Sequence, residues 1–210
     1  MKGPDSNCTE STKWTKYSES DGAKGEVNSL LALRTAAQAP TMRSRQIESG
    51  LRDTMNRDAQ HWDAVEEAVD LLHEERFREA LELLRDVLSK DGSNPYAFFF
   101  LGQGLYEVGE IAPARDAYRA CLKLAPKHLG ARIALCHVLR KLGDHREAIK
   151  QGMIALEQAP ADSDALYAVG LAYLARGDDP AARRYLEAFL KTKPEFEVRL
   201  EVEALLERVR

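Results

Sequence analysis

The 210-residue sequence is poor in cysteine and in aromatic residues, and neither sign of charge is in large excess. Its three cysteines lack the spacing of a metal site and fit a reducing cytoplasm. A net charge of −4 gives no reason to expect nucleic acid or an anionic membrane as a partner. No uncharged apolar run approaches the ~18 residues of a membrane span, and no apolar segment typical of a secretory signal follows Met1. We therefore expect a cytoplasmic protein without membrane insertion.

The first part of the chain is polar. Residues 1–45 are rich in Ser, Thr, Lys, Glu and Gly and lack sustained periodicity, which predicts a disordered or partner-ordered tail. One apolar stretch, 27–33, is either a few stray residues or a short amphipathic helix that folds on a partner or on the protein's own surface. A helix is predicted over 46–60, although Gly50 weakens it. Its apolar stripe consists of Ile47, Leu51 and Met55.

The remainder of the chain repeats itself with a period of 34 residues. Proline, glycine and alanine each recur at this spacing. The members are Pro126, Pro160 and Pro194; Gly109, Gly143 and Gly177; and Ala80, Ala114, Ala148 and Ala182. Each block predicts a helix, a short turn, a second helix and an exit marked by proline. Glycine suits the end of the first helix because it adopts a positive φ at little cost.

The block from Tyr96 to Pro126 carries the landmarks of a known family. They are Phe98, Leu101, Gly102, Gly109, Ala114, Tyr118 and Pro126. A helix-turn-helix unit of 34 residues with these landmarks resembles the tetratricopeptide repeat (TPR) family, over residues about 61–194. The resemblance implies an all-α solenoid of antiparallel helix pairs wound into a right-handed superhelix. The implied units are a divergent repeat at 61–94, repeats at 95–128, 129–162 and 163–196, and a capping helix at 197–210.

The sequence contains no recognisable catalytic or metal-binding constellation. Its five histidines form no helical His-x3-His pair and no Cys/His cluster. Cys121 and Cys136 stand where the TPR family has small residues, so we interpret them as core packing. The run Gly102-Gln103-Gly104 lacks the third glycine and the preceding strand of a dinucleotide-binding loop. We therefore expect no enzyme activity, no cofactor and no metal.

The TPR resemblance also implies a binding site, because the first helix of each repeat lines a concave groove in that family. By this register the groove residues are Trp62, Tyr96, Phe99, Phe100, Gln103, Tyr106, His137, Arg140 and Tyr167. Three consecutive aromatics span about 200° of a helix. If Phe98 faces the core, we expect Phe99 or Phe100 to be exposed as part of an aromatic strip; the alternative is that all three are buried. Arg140 and Lys141 offer a contact for an acidic residue of a ligand.

These observations predict a non-catalytic scaffold or adaptor that binds an apolar or aromatic peptide or helix of a partner in its groove. Compact repeats rich in Ala and Arg favour a bacterial multiprotein assembly as the setting. One alternative is a small TPR secretion chaperone for hydrophobic cargo segments. Another is a self-assembling TPR protein, in which residues 27–33 enter the groove of a second copy.

Overall fold

A computed structural model of the chain describes residues 55–208. The chain divides into two units, Met1–Ala59 and Gln60–Arg210, and of the first unit only residues 55–59 are described. The described residues form helices joined by short turns and include no strand, which confirms the predicted all-α class. The predicted tail 1–45 and most of the predicted helix 46–60 lie outside them. In chain order the helices are α1 (55–63), α2 (Glu66–His73), α3 (Phe77–Lys90), α4 (Pro95–Glu107), α5 (Ile111–Leu124), α6 (Leu129–Lys141), α7 (His145–Gln158), α8 (Ser163–Arg176), α9 (Asp179–Lys191) and α10 (Phe196–Arg208).

From α2 onward the helices pack as consecutive pairs. In the pairs α2–α3, α4–α5, α6–α7 and α8–α9, the first helix contacts the second helix of its own pair. Each second helix also contacts the first helix of the next pair, and neighbouring first helices contact one another. This contact pattern is that of a helical solenoid, in which each repeat buries its apolar faces against the adjacent ones.

A left-handed residue ends the first helix of each pair. Gly109, Gly143 and Gly177 have φ values of +82°, +81° and +79°, and nothing lies within 4 Å of where a Cβ would be. The residue after each glycine donates its backbone N–H back to the helix, as Asp144 does to the carbonyl of Leu139 at 3.0 Å. In the first pair the equivalent position holds Glu75, with a φ of +59°. That pair therefore makes the same turn with a residue for which the conformation is costly.

A second set of positions 34 residues apart caps the first helices. The side chains of Asn94, His128 and Asp162 accept a hydrogen bond from the backbone N–H three residues later, at 3.1, 3.0 and 2.8 Å. Each bond satisfies one of the N–H groups that a helix start leaves without an intrahelical partner. Asn94 is 1% exposed and also donates from Nδ2 to the carbonyl of His61 at 2.8 Å. It thereby ties the start of α4 to the end of α1.

Close contact between paired helices depends on one small residue facing a larger one. Gly102 faces Tyr118 in α4–α5, and Gly170 faces Leu186 in α8–α9. A Cβ on Gly152 of α7 would lie 2.5 Å from Val169 Cγ2 of the following helix α8 and 3.2 Å from Cys136 Sγ of α6. A Cβ on Gly170 would lie 2.6 Å from Leu186 Cδ2. The alanine ladder noted in the sequence lies on the second helices and is fully buried, with Ala80, Ala114, Ala148 and Ala182 all at 0% exposure. The interior is close-packed around these contacts.

Helix α10 follows the last pair and packs on α9, as the predicted capping helix does. Val202 is fully buried on its inner side. Its outer side keeps Phe196 and Leu200 exposed together with Glu203 and Glu207. Among residues 55–208 no helix is both long and apolar enough to cross a membrane.

Candidate partner-binding surface

The candidate surface is the row of first helices α2, α4, α6 and α8, together with Trp62 at the end of α1; we call it the first-helix face. Because neighbouring first helices contact one another, residues at equivalent positions of successive repeats come close together. The predicted groove residues all belong to this row by sequence position.

The rings of Trp62, Tyr96 and Phe100, which we call the aromatic corner, lie at the N-terminal end of the first-helix face. Trp62 and Tyr96, which are 34 residues apart, meet edge to face with ring centroids 5.6 Å apart and planes at 89°. The Trp62 ring also lies 6.0 Å from the ring of Phe100. Trp62 and Tyr96 are only partly buried, whereas Phe100 beneath them is 4% exposed. Two large amphipathic rings therefore remain partly accessible, and the Trp62 ring is supported by a buried third ring.

The expectation of an exposed strip at Phe99 or Phe100 is wrong for this structure. Both rings are 4% exposed, and Phe98 is the partly exposed member of the three. The Phe99 ring packs 4.7 Å from the imidazole of His128 and 6.0 Å from the Tyr118 ring. The reason is the crowding of α4, which contacts α3, α5 and both neighbouring first helices, so little of its circumference stays open. Phe99 and Phe100 thus form the base of the first-helix face.

The other end of α4 brings an aromatic ring together with a cation. Lys141 Nζ lies 4.3 Å from the centroid of the Tyr106 ring, in cation–π geometry. Tyr106, Gln103 and Arg140 are partly buried, and Lys141 is exposed. This part of the first-helix face therefore offers polar and charged groups beside a ring.

Two further predicted residues are buried along the last repeats. His137 and Tyr167 are each 5% exposed, and their ring centroids are 6.2 Å apart. Tyr167 also lies 5.1 Å from the Phe189 ring and donates its hydroxyl to Glu201 Oε1 of α10 at 3.2 Å. These contacts give both residues a packing role. The assignment of the nine residues to a partner-binding groove stays a prediction, with Trp62, Tyr96, Gln103, Tyr106 and Arg140 as its accessible members.

Cys121 and Cys136 are buried, and His61 and His128 make structural contacts. Burial raises the pKa of the Cys121 and Cys136 thiols to about 12, which leaves them protonated and poorly nucleophilic at neutral pH. His61 Nε2 pairs with Asp91 at 2.9 Å, and His128 caps α6. Within 55–208 no three or more His, Cys, Asp or Glu side chains are grouped so as to hold a metal ion.

Sequence reasoning missed the caps at Asn94, His128 and Asp162. The available signal was their common spacing of 34 residues, but the three positions hold three different residue types. The contact between Trp62 and Tyr96 carries the same spacing, and it could be anticipated from the repeat register alone.

Comparison with known proteins agrees with this architecture. Residues 133–195 match a model described as "Tetratricopeptide repeat", and residues 73–151 match one described as "Anaphase-promoting complex, cyclosome, subunit 3". No curated protein sequence matches the chain.

Solved structures with this fold are similar over most of the chain. MamA is 19% identical, with 74% of this chain and 96% of that chain covered and a TM-score of 0.59. YrrB, described as a TPR protein with an unusual peptide-binding site, is 18% identical, with coverages of 85% and 98% and a TM-score of 0.60. A thermophilic TPR protein of Thermus thermophilus is 20% identical, with coverages of 71% and 80% and a TM-score of 0.57. At such identities the likeness concerns the fold. With the matches at 73–151 and 133–195, the 34-residue ladders and the paired helices, the chain belongs to the tetratricopeptide repeat family.

Proposed function

We propose that this chain is a non-catalytic protein-interaction scaffold that holds an apolar or aromatic segment of a partner protein on its first-helix face. Membership of the TPR family supports a protein partner in general terms. The observation that carries the proposal is the aromatic corner, in which the partly buried rings of Trp62 and Tyr96 meet at 89° and the Trp62 ring also contacts the buried ring of Phe100. Large rigid aromatic side chains are enriched among the residues that dominate binding energy at interfaces.

The chemistry of the described side chains supports a binding role more than a catalytic one. Both described cysteines are buried with raised pKa values, and the imidazole of His128 is committed to capping a helix. YrrB, whose fold is similar, is described as having a peptide-binding site, which is the same class of ligand as the one proposed here. The setting we propose is a multiprotein assembly in the bacterial cytoplasm.

Two alternatives within the same family make different predictions. A secretion chaperone would bind a hydrophobic segment of an exported cargo protein on the same face. A self-assembling protein would use residues 27–33 of one copy as the ligand of another, and that segment lies outside the described residues. Molecular mass measured at two concentrations, with the full chain and with a chain lacking residues 1–45, separates self-assembly from a monomeric adaptor.

Site-specific photo-crosslinking in the native cell tests the proposal. A benzophenone amino acid replaces Gln103, which lies on the first-helix face, or Arg119, which is exposed on the second helix α5. We expect the probe at position 103 to form a crosslink with a partner protein, and we expect no such crosslink from the probe at position 119. Crosslinks that form only from position 119, or from neither position, would count against it.

A further inference from the structure

Charges of opposite sign are separated along the first-helix face. Helix α2 carries three carboxylates, Glu66, Glu67 and Asp70, and it has no lysine or arginine. All three are exposed. Glu66 begins α2, and a two-residue turn separates it in sequence from Asp63, the last residue of α1, which also carries Trp62.

Helix α6 has the opposite character. Its charged residues are Arg132, Arg140 and Lys141, and it contains no carboxylate. Arg132 is turned toward the second helix, where its Nη1 donates to Gln151 Oε1 at 2.9 Å. Arg140 and Lys141 lie in the last turn of α6, where Lys141 stands over the Tyr106 ring. The basic end of the face therefore also adjoins an aromatic side chain.

Helix α4 lies between these two and is nearly uncharged. Its one ionisable acid is Glu107 at its last position, and it has no lysine or arginine. Partly buried Tyr96, Gln103 and Tyr106 provide aromatic and amide surface between the acidic helix and the basic one. From α2 to α6 the order is thus acidic, nearly uncharged, and basic beside an aromatic ring. The remaining first helix, α8, carries both signs, with Asp164 in its first turn and Arg176 in its last.

We infer that the first-helix face selects a partner segment that is basic at one end and acidic at the other, with apolar or aromatic residues between, and binds it in one direction. The inference rests on the proposed function and specifies the partner's chemistry. A lysine or arginine of the segment meets the exposed α2 carboxylates, while an aspartate or glutamate meets Arg140 and Lys141. The reversed segment places like charges against each other at both ends, which is how charge patterns exclude wrong partners and registers.

The ligand is unidentified, so the probe is a displayed library of random 12-residue peptides selected on the full-length protein. Selection is repeated on the variant Glu66→Lys/Asp70→Lys and on the control Glu82→Lys/Glu157→Lys. The control makes the same change of charge at exposed positions of the second helices α3 and α7. A Trp62→Ala variant identifies the peptides that use the first-helix face, and thermal melting verifies that every variant folds.

We expect the peptides whose binding is lost in Trp62→Ala to carry basic residues at one end and acidic residues at the other, always in the same chain direction. The Glu66→Lys/Asp70→Lys variant should bind these peptides about three- to tenfold more weakly, as expected for a few exposed ion pairs, and the control should not. Raising the salt concentration should reduce the difference in peptide affinity between the wild type and the Glu66→Lys/Asp70→Lys variant, because salt screens exposed charges.

Peptides that depend on Trp62 but show no bias in end charge would overturn this inference and leave the proposed function standing. A selection dominated by uncharged sequences like residues 27–33 would also overturn it and would point to a second copy of the chain as the occupant. If no selected peptide depends on Trp62, the proposed function itself fails.

Discussion

The ring of Tyr118 occupies the space that a side chain on Gly102 would need. A Cβ built on Gly102 would lie 2.7 Å from Tyr118 Cε1 and 2.9 Å from Cζ. Tyr118 is 4% exposed and is held on its other side by Phe99, whose ring centroid is 6.0 Å away. The approach of α4 to α5 therefore requires glycine at this position, and the Leu-Gly landmark of the family has a steric cause in this chain.

Gly102→Ala should destabilise the protein. Neither Tyr118 nor Phe99 can withdraw without disturbing a second contact, so we expect a loss of about 1–3 kcal/mol in the free energy of unfolding, typical of an overpacked core. Urea denaturation measures it. Gly92→Ala is the matched control, because its Cβ would meet only the carbonyl oxygen of Leu88 at 3.7 Å. Equal stability of the two alanine variants would show that the Tyr118 contact is looser than described.

The left-handed turn positions should respond to substitution in opposite directions. Gly143 has a φ of +81° with open space around it, so Gly143→Ala should cost about 1–2 kcal/mol through the backbone alone. Glu75 has a φ of +59° at the equivalent position of the first pair. Glu75→Gly should therefore relieve a strain of similar size, although the greater conformational entropy of glycine in the unfolded state cancels part of the gain. Thermal denaturation of the wild type and both variants measures these effects. A melting temperature of Glu75→Gly below that of the wild type would refute the strain argument.

Asn94 should contribute more to stability than the other helix caps, because its side chain makes two buried hydrogen bonds. Asn94→Ala removes the cap on Ala97 and leaves the carbonyl of His61 without its donor, and we expect a cost of about 2–4 kcal/mol. Asp162→Ala removes the bond from the Ala165 N–H and should cost about 1 kcal/mol through the lost cap. Urea denaturation of the two alanine variants measures both losses, and equal losses would contradict the added contribution of the bond to His61.

His128 should make stability depend on pH. Burial lowers the pKa of its imidazole, and its Nδ1 accepts the Ala131 N–H, which a protonated ring cannot do. A histidine whose pKa is lower in the folded state contributes its full stability above the unfolded value of about 6.5. That contribution is lost as the pH falls from about 6.5 toward the folded-state pKa.

His128→Asn is the comparison for this effect, because asparagine caps a helix without titrating. The free energy of unfolding is measured for both proteins by urea denaturation between pH 7.5 and pH 5. The wild type should lose more stability than the variant over this range. If the free energy of unfolding of both proteins fell equally between pH 7.5 and pH 5, burial of the His128 imidazole would not contribute to the pH dependence.

The helix pairs were predictable from the sequence because three residue types repeat at fixed positions. Gly109, Gly143 and Gly177 each end a first helix with positive φ, and this requirement selects the same residue in three of the four repeats, the first having Glu75 instead. The caps at Asn94, His128 and Asp162 share a position and a role but no residue type, so matching identical residues along the chain does not reveal them.

The exposure of the first-helix face was less predictable. Helical periodicity showed that Phe98, Phe99 and Phe100 point in three directions, and it gave no information on how many of those directions a neighbouring helix covers. Their burial is set by contacts among repeats, such as Phe99 with His128 and Phe100 with Trp62, which arise only after the helices stack. The accessible aromatics of the predicted groove proved to be Trp62, Tyr96 and Tyr106.

Affinity capture from a native cell extract with wild-type protein and a Trp62→Ala variant tests most directly whether the first-helix face binds a partner. Arg119→Ala, at an exposed position of α5, is the control, and thermal melting verifies that each variant folds. Mass spectrometry should find a partner that wild type and Arg119→Ala retain equally and that Trp62→Ala retains about tenfold less, as for the loss of a residue that dominates binding. Equal recovery of the same partner by all three proteins would contradict a binding role for the first-helix face.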